Sequence, residues 1–381
     1  MSNESHIKLR TNNSFVFGPL TRRFVSALTA AQFQRYVIPG ICMKILFILS
    51  LIAFSNGAFA SEVNNLINEG VKLHDEGKYE KAEKKYKSAL KLDPDNSRAL
   101  YELTYTYMVS KRNKECVETA KIGLKIKSNL RKKFTTTIGN CYSQQGKIED
   151  ALKYFKEGLK IDPTDPHLHL NIAVTLSNIR QDKKAVTHLK EAIKYSNGYA
   201  SPYYFIAEIY RDTNYRIPAI YFYMQFILLE PNTKRSQDAS KKIYYLLYQG
   251  LEQKENGGMN IVVNPNSPKD EGDFSTLELA LSLSAAASTT ENSKILKNDV
   301  ERHTEALVSF IQITNEINDK NLDSTFTWQY AAKNIFSLLA SGDINTFSYI
   351  LAEKAGIQGA TDWLNKNQSK IEKMSNAIKV L

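Results

Sequence analysis

The side chains with the most chemistry to offer are few: six histidines and three cysteines among 381 residues. His167 and His169 lie two apart, and on a helix that spacing turns them to different faces, which argues against a metal pair. His188 and His303 each have a carboxylate at helical spacing, Glu191 and Asp299, but no second His or Cys to complete a site; His74 has neither. Asp299, Glu301, His303 and Glu305 form a dense ionisable cluster, for which a solvated helix face is the expected role. Nucleophile elbow, Walker loop, zinc signature and glycine-rich nucleotide motif are all missing. The expectation is therefore no catalytic residue, no metal and no cofactor. Whatever this chain does, it does by recognition.

Recognition needs a scaffold, and the scaffold is periodic. Small residues recur as Ala82, Cys116, Ala151, Ala185 and Ala219, at intervals of 34, 35, 34 and 34. Four positions on from each come Tyr86, Ala120, Phe155, Leu189 and Tyr223, and prolines close three units at Pro94, Pro163 and Pro231. The units run over 63–96, 97–130, 132–165, 166–199 and 200–233, with one extra residue near Arg131. Each holds two amphipathic helices of about a dozen residues, joined by turn formers such as Gly77 and Gly146. Gly70, Ala82 and Ala89, and in the third unit Gly139, Ala151 and Gly158, are expected where the helices approach most closely. The second unit is the most divergent, with Cys116, Ala120 and Ser128 at its signature positions. A last helix, 236–251, reads as a cap over the final apolar face.

A small residue followed by an aromatic and then proline, at this period, resembles the tetratricopeptide repeat over about residues 63–233. The resemblance implies an all-α superhelix of antiparallel helix pairs, here followed by a C-terminal helical region. It also implies a concave groove, lined by the first helix of each unit, that takes a protein or peptide ligand. Carried over position by position, the groove residues are Asn68, Val71 and His74; Tyr101, Glu102, Tyr105 and Met108; Thr136, Asn140 and Gln144; Asn171, Val174 and Asn178; and Tyr204, Phe205, Glu208 and Arg211. Some members clamp a C-terminal carboxylate with two groove asparagines and flanking Lys and Arg. Lys133 and Asn171 match that pattern, but Thr137, Ser201 and Phe205 occupy the other places. The expected ligand is thus an extended segment, with Asn amides meeting its backbone and Tyr rings covering its side chains. The alternative for the aromatics is packing between neighbouring helices.

The rest of the chain bounds where this happens. The formal charge of +10 falls to +5 once residues 1–60 are set aside, and it gives no electrostatic footprint for nucleic acid. From Met43 one lysine, an apolar run and Ala58-Phe59-Ala60 form a secretory signal, residues 43–60, with a cut expected after Ala60. Export to the periplasm or beyond follows; the alternative is an uncleaved anchor, the chain's one expected route to a membrane. Residues 1–42 carry no pattern, and Met43 is a natural second start. Cys116 and Cys141 lie on consecutive units, where a disulfide is conceivable after export, yet Cys116 at a packing position serves equally well as a free thiol. Residues 61–252 are expected to form the repeat domain, 253–274 a linker with Ile261–Val263 pairing briefly, and 275–381 a helical domain of its own. Helices are expected there at 275–288, 292–318, 326–341, 344–355 and 360–379. The functional expectation is a scaffold or adaptor of the bacterial cell envelope. The alternatives are an envelope enzyme with its site in 275–381 and a self-assembling structural subunit.

Overall fold

The computed structural model describes residues 59–254, 259–262, 269–290, 297–317 and 320–378, and the fold is all-α. The expected signal sequence lies outside the described residues, save Phe59 and Ala60. Five antiparallel helix pairs follow one another: α1 (59–75) with α2 (Tyr79–Leu92), α3 (Ser97–Val109) with α4 (Asn113–Lys125), α5 (Arg131–Gln144) with α6 (Ile148–Ile161), α7 (Pro166–Ser177) with α8 (Asp182–Tyr195), and α9 (Ala200–Asp212) with α10 (Arg216–Leu229). A single helix α11 (Lys234–Tyr248) succeeds them.

Local chemistry sets these bounds. Asn96 and Asp165 accept backbone N–H groups at the starts of α3 and α7, and Thr233 closes a capping box on α11. Each hairpin turns through one left-handed residue: Gly77, Lys111, Gly146, Arg180 and Asn214, spaced with the period of the repeat. Inside the pairs the small residues are contact points, with Ala82, Ala89 and Ala151 fully buried. A Cβ on Gly70 would lie 2.5 Å from the ring of Tyr86, and one on Gly139 would lie 2.4 Å from that of Phe155. In the first and third units the aromatic four residues after the small residue is thus the ring that the glycine makes room for.

Cys116 and Cys141 are joined by a disulfide that ties α4 to α5, across the boundary between the second and third units. Of the two roles open to these cysteines, the cross-link is the one the structure contains.

Beyond α11, β1 (Leu251–Gln253) pairs antiparallel with β2 (Met259–Ile261), slightly earlier in the chain than the extended segment expected at 261–263. Then come α12 (Ser275–Ser288), α13 (Asp299–Glu316), a short α14 (Lys320–Asp323), a π-helical turn (Trp328–Ala332) leading into α15 (Lys333–Ala340), and α16 (Ile344–Ala355), α17 (Ala360–Lys366) and α18 (Gln368–Ile378). The single helix expected over 360–379 is broken at Asn367, whose backbone leaves the helical region while its amide donates to Trp363 O at 2.8 Å.

The apolar interior forms two clusters. One runs from Val63 to Cys141, the other from Ala151 to Met374, so the C-terminal helices share a core with the later repeats. α10 (RIPAIYFYMQFILL) is apolar on every face, and a helix of that kind must be covered on every face. The π-helical turn and α15 supply the far cover: Tyr221 packs on Trp328 and Phe336. α16 packs on α11, so the helix expected to be an outer cap is itself covered. Arg216 bolts the two regions together. Its guanidinium donates to Leu246 O at 2.7 Å, Leu247 O at 3.1 Å, Glu278 Oε2 at 3.2 Å and Ser282 Oγ at 3.1 Å.

Among the described residues no single helix is long and apolar enough to cross a membrane; the π-helical turn with α15 and then α16 reach that length and composition only as a pair bent by 118°.

Candidate protein-binding groove

The first helices of successive pairs, α1, α3, α5, α7 and α9, stand side by side, and the expected groove residues divide into three groups along them. At the amino-terminal end His74, Tyr105 and Tyr101 form a row of rings, with centroids 5.3 Å and 6.3 Å apart and planes inclined by 31° and 24°. His74 Nδ1 is 2.8 Å from Thr106 Oγ1, and Asn68 Oδ1 accepts from Arg98 at 2.9 Å. Tyr101 is half-buried, set edge-on against Phe134, while Tyr105 keeps 38% of its surface exposed. Burial, and then the neighbouring Glu102 charge, push the Tyr101 phenol up. Burial also raises the Glu102 carboxyl, against the opposing pull of Arg98, His74 and Lys133.

The middle of the face is amide-rich. Asn140 and Asn171 are half-buried, Gln144 and Asn178 are exposed, and none of these four side-chain amides hydrogen-bonds within the described residues. The clamp positions are otherwise engaged: Thr137 is buried and donates to Lys133 O at 2.8 Å, and Ser201 Oγ accepts from Arg235 at 3.3 Å.

At the carboxy-terminal end the expected residues are already committed to one another. Glu208 accepts from Tyr223 and Lys242 and pairs with Arg211 at 2.9 Å; Arg211 also pairs with Asp212. Tyr204 packs edge-on against Phe205, stacks under Arg235 and Lys242, and accepts from Lys242 at 3.2 Å. These side chains build the wall of the face more than they offer it. Through Lys242, α11 joins the row as a sixth lining helix. Tyr245, one turn on, is 64% exposed. Neither was among the expected groove residues, although the period marks them: Lys242 lies 34 after Glu208, and Tyr245 lies 34 after Arg211.

One histidine departs from the expectation set by its spacing. His188 does have a second histidine beside it, because the hairpin of α7 and α8 brings His169 Nδ1 to 3.0 Å from His188 Nδ1, while His169 Nε2 faces Pro163 O at 3.2 Å. Burial first, then His169 and Lys156, pull His188 down to about 4. Among the described residues no group of three His, Cys, Asp or Glu is placed to hold a metal.

The acidic cluster on α13 does not converge. Glu301 closes a capping box with Asn298, Asp299 pairs with Arg302, Glu305 pairs with Lys297, and His303 is tucked against Tyr244 and Tyr248 of α11. Asp299, Glu301 and Glu305 lie exposed, as a solvated helix face requires, and only His303 is half-buried.

Stacked helix hairpins presenting one continuous lined face define a helical-repeat binding scaffold. Residues 136–165 match the family model of the tetratricopeptide repeat, and residues 70–108 match that of the TPR repeat. The chain therefore contains tetratricopeptide repeats, a repeat that implies binding of protein or peptide. Over 106 residues it is 29% identical to the Hsp70-Hsp90 organising protein of Plasmodium falciparum, a match covering 28% of this chain and 42% of that protein. The chain thus spans less than half the length of the curated relative it matches. Three solved structures are alike in fold. PilF of Pseudomonas aeruginosa shares 16% identity at a TM-score of 0.44, over 50% of this chain and 86% of its own. PilW, described as a type IV pilus biogenesis factor, shares 19% at 0.44, over 49% and 86%. A TPR protein of Thermus thermophilus shares 21% at 0.41, over 49% and 98%.

Proposed function

We propose that this chain is an exported scaffold or adaptor that takes an extended segment of a partner protein along the face formed by α1, α3, α5, α7, α9 and α11, in the cell envelope. The observation that carries the reading is the run of uncommitted amides, Asn140, Gln144, Asn171 and Asn178, on two consecutive lining helices. A side-chain amide offers two donors and an acceptor, the complement of a peptide unit, and these four have no competing partner within the described chain. An extended segment has backbone groups to satisfy along its whole length, and a ladder of such amides meets them without regard to side-chain identity. The rings at either end, Tyr105 and Tyr245, supply apolar cover.

Export is supported by the signal sequence at 43–60 and by the Cys116–Cys141 disulfide, since such bonds persist in oxidising compartments. The test is site-specific photocrosslinking in cells from positions 144 and 178, followed by mass spectrometry. One partner is expected from both positions, lost when Asn140 and Asn171 are both changed to Ala while the thermal melt is unchanged. Adducts unaffected by that double change would refute the groove. Recovery of the chain with its N-terminal signal intact in the cytoplasmic fraction would refute export.

A further inference from the structure

The groove reading leaves one carboxylate unexplained. Glu102, on α3, is half-buried and makes no hydrogen bond or ion pair within the described residues. Glu208, the carboxylate at the opposite end of the face, contrasts with it, holding Lys242, Arg211 and Tyr223. Cations do stand near Glu102, but their geometry turns them elsewhere. Arg98 donates to Asn68 Oδ1, and the Lys133 ammonium lies 5.2 Å from the centroid of the Tyr101 ring. Asp75 adds a second negative charge to the same surroundings.

The rings beside it point to what is absent. Tyr105 is one helical turn from both Glu102 and Tyr101, and its ring lies between those of His74 and Tyr101 in an inclined row. Aromatic faces are electron-rich and attract a cation, and Lys133 already uses the Tyr101 face in this way. A carboxylate withdrawn from water beside ring faces is complementary to a cation carried on an apolar stem. Lysine and arginine side chains have that form.

We propose that the amino-terminal end of the groove receives a lysine or arginine side chain of the bound segment, paired with Glu102 and covered by Tyr101 and Tyr105. The proposal rests on the groove reading and deepens it, giving the ligand a basic position at one register. Lys133 is the internal competitor that the ligand's cation displaces from the Tyr101 face.

The experiment pans a random decapeptide library on the immobilised full chain. Enriched peptides are then resynthesised with lysine, norleucine or glutamate at any recurrent basic position, and binding is read by fluorescence anisotropy. A basic residue at a fixed register is expected, with lysine binding about 10-fold tighter than norleucine, the scale of a partly desolvated cation–π and ion-pair contact. Glu102→Gln should lower that ratio several-fold, leaving the share that the tyrosine rings supply. Glu102→Lys should make the glutamate peptide the best of the three, and Lys133→Met should tighten the lysine peptide several-fold. Enriched peptides with no basic register, or a lysine-to-norleucine ratio unchanged in Glu102→Gln, would overturn the proposal and leave the groove standing. Failure to enrich any peptide would overturn the groove itself and this proposal with it.

Discussion

Replacing Arg216 by Met keeps most of the side chain's apolar volume and removes every donor. Arg216 is 8% exposed and Glu278 is 2% exposed, so the substitution strands a buried carboxylate and withdraws the partner of two carbonyls at the end of α11. Burial already lowers the Arg216 guanidinium and raises the Glu278 carboxyl, so each group's charge depends on the other. Breaking a buried pair by removing one member costs about 3–5 kcal/mol. The two carbonyls do not add their full penalty, because Glu278 can take up a proton and the end of α11 can rearrange. The assay follows from where the tryptophans are: both, Trp328 and Trp363, lie in the C-terminal helices, whereas far-UV circular dichroism reports the whole chain. With a denaturant slope of about 3 kcal/mol/M in urea, the fluorescence midpoint of Arg216→Met should fall by about 1–1.5 M, and its transition should precede that of the dichroism. The double change Arg216→Met, Glu278→Leu should recover the part of the loss owed to the stranded carboxylate. An unchanged midpoint in the single variant, or a double variant no better than the single, would refute this account of how repeats and C-terminal helices are joined.

Three further outcomes are expected. Lys111 carries a φ of 60° at a position where the first and third hairpins have glycine, so Lys111→Gly should relieve about 1 kcal/mol of backbone strain, partly offset by unfolded-state entropy, and raise the urea midpoint slightly. Alkylation should leave Cys116 and Cys141 unmodified without reductant and modify both after reduction and unfolding; reduction should cost about 3.5 kcal/mol by the loop-entropy account for a separation of 25 residues. Acid should weaken the fold through His188. Its folded value near 4 lies below the ordinary value of about 6.5, so the unfolded chain takes up a proton that the folded chain refuses. The stabilisation is complete above pH 6.5 and is lost as pH falls toward 4, by at most about 3 kcal/mol and by less after solvent screening of this partly exposed ring. Urea midpoints measured across that range should slope less in His188→Gln, and an unchanged slope would count against the burial argument.

The repeats were legible because a period can be counted. Once Ala82 and Ala151 are recognised as the same position, helix bounds, hairpin turns and the glycine contacts at Gly70 and Gly139 follow, and the structure places them there. Contacts between elements with no shared period could not be read this way. Arg216 and Glu278 lie 62 residues apart, and nothing local to either names the other. The His169–His188 contact is an intermediate case. Their 19-residue separation spans one hairpin, and matching positions on its two antiparallel helices would have exposed the pair. α10 carried a plainer sign, since RIPAIYFYMQFILL has no polar face to give to water. On the lining face itself, residue type and period located positions without saying which side chains were already taken. Glu208 and Arg211 are committed to Lys242 and Asp212, whereas Asn140 and Asn171 are not.

That difference bears on how the proposed groove would bind. The two apolar clusters meet between Cys141 and Ala151, within the third unit, and the uncommitted amides of α5 and α7 lie at and just after this seam. Each unit of such a stack is held only by its neighbours, so the spacing between Asn140 and Asn171 depends on the packing across this seam. Bending there would alter the spacing between Asn140 and Asn171, and ordering that spacing on binding would subtract from affinity. Two features oppose it. The Cys116–Cys141 disulfide fixes α5 to the unit before the seam, and Tyr142 packs against both clusters and against Tyr154. Beyond the seam, the shared core and Arg216 hold α9, α10 and α11 as one body with the C-terminal helices. On the proposed function, the C-terminal region would serve the groove without lining it: it covers α10 and α11, and so fixes the wall against which a ligand would register.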